Sequence, residues 1–189
     1  ILINRESEHF STVCTDNDEV GLMAATKIRQ KGYTEAAIFA SRHSYFATSQ
    51  RVQAFISSCE RLGIETDEKY ILKGSSTRNG GYEIGKQYAA LKEPPKMIFC
   101  DSDAIALGAL RAFHEEGISV PGDAELLSIG MLDPEAASYY VPSLSVVEMP
   151  NKEIGQQVLR LMRKKILNND MSSEHVKVHA KLMLRESFS

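Results

Sequence analysis

The chain has 189 residues, longer than one typical domain and short for two. Hydrophobic residues make up 43% and charged residues 25%, a globular composition that excludes a disordered chain. Lys and Arg (22) against Asp and Glu (25) leave a net charge of −3. That balance argues against the chain gripping nucleic acid by itself, since duplex binding rests on basic patches that release counterions.

The longest apolar run is only a few residues, too short for a membrane span. The opening Ile1-Leu2-Ile3-Asn4-Arg5 lacks the basic start and long apolar stretch of a secretory signal. The cysteines, Cys14, Cys59 and Cys100, are odd in number and widely spaced, which reads as free thiols in a reducing cytoplasm.

Strands and helices alternate along the chain. Val13 to Thr15 reads as a strand, and Asp16 followed by Glu19 resembles the capping box of a helix carrying Val20, Met23, Ala24 and Ile28, with Gly32 as the stop. Ala36 to Ala40 lacks alternation, as a strand buried on both faces should. A polar loop over 41–48 leads to a helix with the stripe Val52, Phe55, Ile56, Cys59 and Leu62, ended by Gly63. Tyr70 to Leu72, Met97 to Cys100 and Leu126 to Gly130 follow as strands, interleaved with helices over 81–91 and 103–116. After a loop rich in small residues, Leu144 to Val147 is extended, Ile154 to Ile166 marks a long amphipathic helix, and 176–184 holds one or two strands. This is an α/β pattern: a Rossmann-like parallel sheet with helices on both faces.

In such a sheet a ligand sits at the carboxyl ends of the strands. Those ends are Asp16, the loop Ser41 to Tyr45, Gly74-Ser75-Ser76, Asp101-Ser102-Asp103 and Met131-Leu132-Asp133, a polar rim suited to a sugar, nucleoside or acid. Asp16 and Asp103 equally fit helix N-caps.

Enzyme motifs are weak. Gly80 to Lys86 fits G-x-x-x-x-G-K, but Gln87 stands where a magnesium-holding Ser or Thr belongs, and Tyr82, Ile84 and Tyr88 read as helix. Asp101-Ser102-Asp103 resembles the aspartate pair of metal-dependent glycosyltransferases, although a packed helix starts at once behind it. His175 and His179 lie about 13 Å apart in extended chain, too far for one metal. No cofactor or metal is expected, and no nucleophile motif with diagnostic flanks appears.

Met97-Ile98-Phe99-Cys100-Asp101-Ser102-Asp103-Ala104-Ile105-Ala106-Leu107-Gly108-Ala109-Leu110 strongly resembles the lac/gal repressor (LacI/GalR) family. Gly117 to Asp123 matches its G-h-x-V-P-x-D signature. Ile129-Gly130, Pro142 to Val147, Asp16-Asn17 with Gly21, Arg51 with Phe55, and Arg185-Glu186-Ser187 extend the match over essentially the whole chain.

The resemblance implies an effector-binding domain shaped like a periplasmic binding protein, two lobes joined by three crossovers near Asp16, Met149-Pro150 and Lys177-Val178. Residues 17–149 plus 178–189 would form a nearly complete C-terminal lobe. Residues 1–16 plus 150–177 would form part of an N-terminal lobe short of sheet neighbours, with the DNA-reading head outside this chain. Family effector contacts map onto Asp16, Tyr45, Ala47, Arg51, Ser76, Ser102 and Leu132. The acidic residue that many members carry at position 132 is shifted here to Asp133, and Ser76 replaces a frequent aromatic platform. These departures weaken the case for an ordinary hexose as effector.

A homodimer is implied, with Ala104, Leu107, Leu110 and the pair Tyr139-Tyr140 at the interface, positions that equally suit core packing. The principal reading is therefore a cytoplasmic, non-enzymatic, small-molecule-sensing domain of a transcription repressor, with no membrane partner and DNA reached only through another part of the protein. The alternatives are a solute-binding protein of transport and the metal-dependent glycosyltransferase using Asp101 and Asp103.

Overall fold

A strand of uninterrupted apolar residues has both faces to hide, so it must lie between two helix layers. In the computed structural model, which describes residues 1–43, 46–130, 134–169 and 171–189 apart from the side chain of Pro134, this happens to most of the chain. In order, the elements are β1 (Leu2–Ile3), β2 (Thr12–Thr15), α1 (Asn17–Gln30), β3 (Ala37–Ser41), α2 (Phe46–Leu62), β4 (Ile71–Gly74), α3 (Arg78–Ala89) and β5 (Met97–Cys100). Then come α4 (Asp103–Glu116), β6 (Glu125–Gly130), α5 (Pro134–Ser138), β7 (Ser145–Glu148), α6 (Asn151–Asn168), β8 (His175–Val178) and β9 (Lys181–Met183).

Among the described residues the strands form two sheets. The six-stranded sheet has the order β4-β3-β5-β6-β7-β9, parallel except for the antiparallel β7–β9 pair. The alternation of side chains then sorts its core. Ile38, Ala40, Met97 and Phe99 face α1 and α2, meeting Val20, Ile28, Phe55 and Cys59. Ala37, Phe39, Ile98 and Cys100 face α3 and α4, meeting Ile84, Tyr88, Ala109 and Phe113. Phe55 stacks on Phe99 at 4.0 Å between ring centres, fixing α2 to the central strand.

The other sheet is small: β1-β2-β8, all parallel. Val13, Val176 and Val178 pack on Ile154, Val158 and Leu161 of α6. The rest of α6 is poorly covered, with Leu159, Ile166 and Leu167 each about 70% exposed. The chain passes between the sheets at β2 to α1, at β7 to α6 and at β8 to β9.

Several local details differ from the sequence reading. The first turn of α2 begins at Phe46, upstream of the apolar stripe. The segment read as a loop after β6 contains α5. Only half of the capping box forms: Asp16 Oδ1 accepts from the Glu19 N–H at 3.3 Å, while the Glu19 carboxylate turns to His179 Nδ1 at 2.7 Å. Gly80 to Lys86 lies inside α3 rather than in an open loop, because its glycines let α3 approach α4 closely. A Cβ on Gly81 would stand 2.2 Å from the carbonyl of Ile105, and one on Gly108 only 1.9 Å from the carbonyl of Arg78.

Two predictions follow from this packing. On propensity alone Gly108→Ala in mid-helix should stabilise by about 1 kcal/mol. The close backbone approach reverses that sign, so thermal denaturation of Gly108→Ala will show a loss of about 1–3 kcal/mol and a fall of several degrees in melting temperature. An unchanged or raised melting temperature would mean that α3 and α4 are not in contact there.

His179, on the β8–β9 passage, is held above its ordinary value of 6.5 by the Glu19 hydrogen bond. Because the folded value is the higher one, this contact supports the fold fully below about 6.5 and loses its effect as pH rises through the folded value. NMR titration will place the His179 midpoint above that of an unstructured peptide, and Glu19→Gln will lower it. No change on Glu19→Gln would remove the contact.

Candidate functional site

A cleft of about 500 Å³ opens where the two sheets approach each other, at the carboxyl ends of the large sheet's parallel strands. One wall is the stretch from Leu2 to Arg5, at and after β1; the other is the first turn of α2 with Met149 and Asn151 behind it. At its floor lies Arg51, on α2, only 3% exposed.

A buried guanidinium is costly unless its charge and donors are met. Arg51 Nη2 donates to Thr48 Oγ1 one turn earlier at 3.2 Å, and Nη1 lies 3.4 Å from Met149 Sδ. Burial lowers its pKa, and the negative charge of Asp101 opposes that shift.

Asp101 follows β5 and is 1% exposed. One carboxylate oxygen accepts from the Ser41 N–H at 2.6 Å and the other from the Ser41 hydroxyl at 3.2 Å, tying the ends of β3 and β5 together. Burial pushes its carboxyl above the usual range, against the pull of the Ser41 hydrogen bonds and the Arg51 charge. Both oxygens are thus engaged below the surface, and Asp103 is buried in the first turn of α4. The pair offers no open carboxylates to a hard cation, against the glycosyltransferase reading.

The opposite wall is fixed by Asn4, whose φ of +50° is one that asparagine tolerates better than most side chains. Its Oδ1 accepts from the Thr15 N–H at 3.1 Å and the Thr15 hydroxyl at 3.4 Å, locking the wall to the end of β2.

Of the residues singled out from the sequence, the cleft brings together Ala47 and Arg51. Asp16 caps α1 and lies 3.7 Å from Lys177 Nζ; Ser102 caps α4 through the Ile105 N–H at 3.4 Å; Ser76 is exposed beyond β4. None of these three lines the cleft, although Ser76 and Ser102 share its end of the sheet. Tyr45, Leu132 and Asp133 lie outside the described residues.

Sequence reasoning missed Asn4, Thr48, Phe46 and Met149. The one signal for Thr48 was its position a helical turn before Arg51, and nothing in the sequence joined residues 2–5 to α2. On α4, Ala104, Leu107 and Leu110 are half-buried; Leu110 and Tyr140 pack against the chain's own core, and Tyr139 is 76% exposed. Two other depressions, of about 480 and 620 Å³, lie beside the small sheet and between α2, the start of α1, Glu6 and Lys177, and neither is lined by a buried charged residue.

The family model for the periplasmic binding protein-like domain matches residues 12–188. The HTH-type transcriptional repressor PurR of Mannheimia succiniciproducens is 27% identical over 169 residues, 89% of this chain and 50% of that protein. The chain spans about half the length of the curated relatives it matches. A crystal structure of a LacI family transcription regulator from Clostridium acetobutylicum superposes with a TM-score of 0.92 at 32% identity, covering 97% of this chain and 68% of that one. The transcriptional regulator CelR, solved as its cellobiose complex, gives 0.85 at 25% identity, covering 96% and 55%. These relatives are transcription regulators rather than enzymes or transport proteins. By the extent of the family match and the likeness to the Clostridium regulator, the chain belongs to the LacI/GalR family, as a periplasmic-binding-protein-like effector-binding domain.

Proposed function

We propose that the chain is the ligand-sensing part of a cytoplasmic transcription repressor, and that a small polar molecule binds in the cleft between the two sheets. The observation that carries this reading is Arg51: a guanidinium buried at the floor of a cleft whose walls come from both sheets. Its planar fork suits paired oxygens of a ligand. That the related CelR was solved with cellobiose supports a saccharide-like effector.

The proposed contacts are Arg51 and Ala47 with Asn4 and Thr48, while Asp16, Ser76 and Ser102, together with Tyr45, Leu132 and Asp133, complete the site around the strand ends. In this scheme residues 17–149 plus 178–189 move as one lobe and 1–16 plus 150–177 as the other. A ligand touching both favours the closed arrangement by its differential affinity for it. The protein would read DNA through a part other than this acidic module.

Isothermal titration calorimetry of the purified protein against sugars, sugar acids and nucleobases will find a ligand whose affinity falls about 10–100-fold in Arg51→Lys, which keeps the charge but loses the fork. Unaltered affinity in Arg51→Lys would move the ligand elsewhere.

We also propose a homodimer through Ala104, Leu107, Leu110 and Tyr140 on the α4 side. Light scattering at micromolar concentration will give twice the chain mass, reduced to one by Leu107→Lys. A monomeric parent protein would overturn the interface.

A further inference from the structure

The first and third passages between the sheets run side by side. β2 and β8 pair in parallel as far as Thr15 and Val178, where both strands end. The next bond crosses from one passage to the other: the Asp16 N–H donates to the Val178 carbonyl at 3.0 Å. That N–H is the group a capping-box glutamate would ordinarily accept from. With it taken, the Glu19 carboxylate lies instead 2.7 Å from His179 Nδ1. Ala180, next in the chain, is buried in the core between the large sheet and its α1–α2 layer. His179 therefore sits between a residue paired in the small sheet and one packed in the large core, with its ring held from α1.

This contact differs from its neighbours in answering to pH. The bond from Asp16 to Val178 is between backbone groups and holds no titratable proton. Lys177 Nζ, 3.7 Å from Asp16 Oδ1, pairs an ammonium with a carboxylate, types that titrate well outside the neutral range. Imidazole is the side-chain type whose charge changes between about pH 5 and 8. The charges acting on the His179 ring are Glu19 and Asp16, both at the start of α1, while Lys177 on its own strand is drawn to Asp16. The Glu19 hydrogen bond first, then the charges of both carboxylates, hold the protonated ring above its ordinary value of 6.5. A neutral ring can still donate from Nδ1, but it loses the attraction between opposite charges.

We infer that the junction between the two sheets is a pH-dependent clamp, in which protonated His179 on the third passage grips the start of α1 through Glu19 and the neutral ring releases it. The two walls of the cleft come from the two sheets, so the clamp makes the firmness of the cleft depend on pH. The inference stands independently of what the cleft binds.

Amide hydrogen exchange of the purified protein tests it, read by NMR between about pH 5.5 and 9 and corrected for the intrinsic pH dependence of exchange. The protection factor of the Asp16 amide will be about two- to five-fold higher with His179 protonated than neutral, the size expected of an exposed ion pair. The change will follow the His179 midpoint read from the ring's own resonances. His179→Gln and Glu19→Gln, neither at a fully buried position and both with melting temperature checked, will flatten the profile. His179→Lys, which keeps a cation throughout this range, will hold protection at its high level at every pH. Protection at Asp16 that ignores the His179 titration, or a profile that Glu19→Gln leaves unchanged, would overturn the clamp.

Discussion

A buried arginine organises the site. Taking a guanidinium out of water costs on the order of several kcal/mol unless other groups replace its hydration, and Arg51 is 3% exposed. Its compensation among the described residues includes the Asp101 charge after β5, the Thr48 hydroxyl within α2 and the Met149 sulfur beyond β7. One turn further along α2, Phe55 stacks on Phe99 of β5, so the helix carrying the charge is fixed to the strand carrying its counter-charge. Ser41 bonds to Asp101 and brings the end of β3 into the same arrangement. Loss of any one of these contacts would leave a buried charge short of a partner, which is why the strand ends and the first turns of α2 must stay in register.

The second organising feature is connectivity. The chain passes between the two sheets in three places, at β2 to α1, β7 to α6 and β8 to β9. Polar contacts gather at these passages: Asp16 with Lys177, and Glu19 with His179. Such exposed pairs are weak and reversible, whereas the helix layers on the large sheet are held by fully buried aromatic and aliphatic packing. The polar contacts at the passages are thus weaker than the packing within the large sheet's layers, and the cleft lies between the two sheets.

Legibility in the sequence followed burial. The strands of the large sheet were plain because unbroken runs such as Met97 to Cys100 have few alternatives to a doubly covered strand. The helices packed on it were equally plain from their stripes, with boundaries blurred where polar first turns carry no period, as at Phe46. The two residues of β1 have no pattern at all, and α5 is too short to have one. The glycines of α3 were open to a phosphate-loop reading because sequence cannot distinguish a glycine needed for a turn from one needed for helix contact. Arg51 stood out as a site residue only through family resemblance; its helical spacing alone equally fits a surface position. Asn4, on the far wall, was invisible because a tertiary approach between distant segments leaves no local trace.

The most direct test of the account is chemical-shift mapping with the tightest-binding member of the panel of sugars, sugar acids and nucleobases. If Arg51 sits at the floor of a site shared by both sheets, the Arg51 Nε–H resonance and the backbone amides of Asn4, Arg5, Ala47 and Thr48 will shift together and saturate with one dissociation constant. Perturbations confined to one wall, or centred on the depression around Gln53, Arg61 and Lys177, would contradict it.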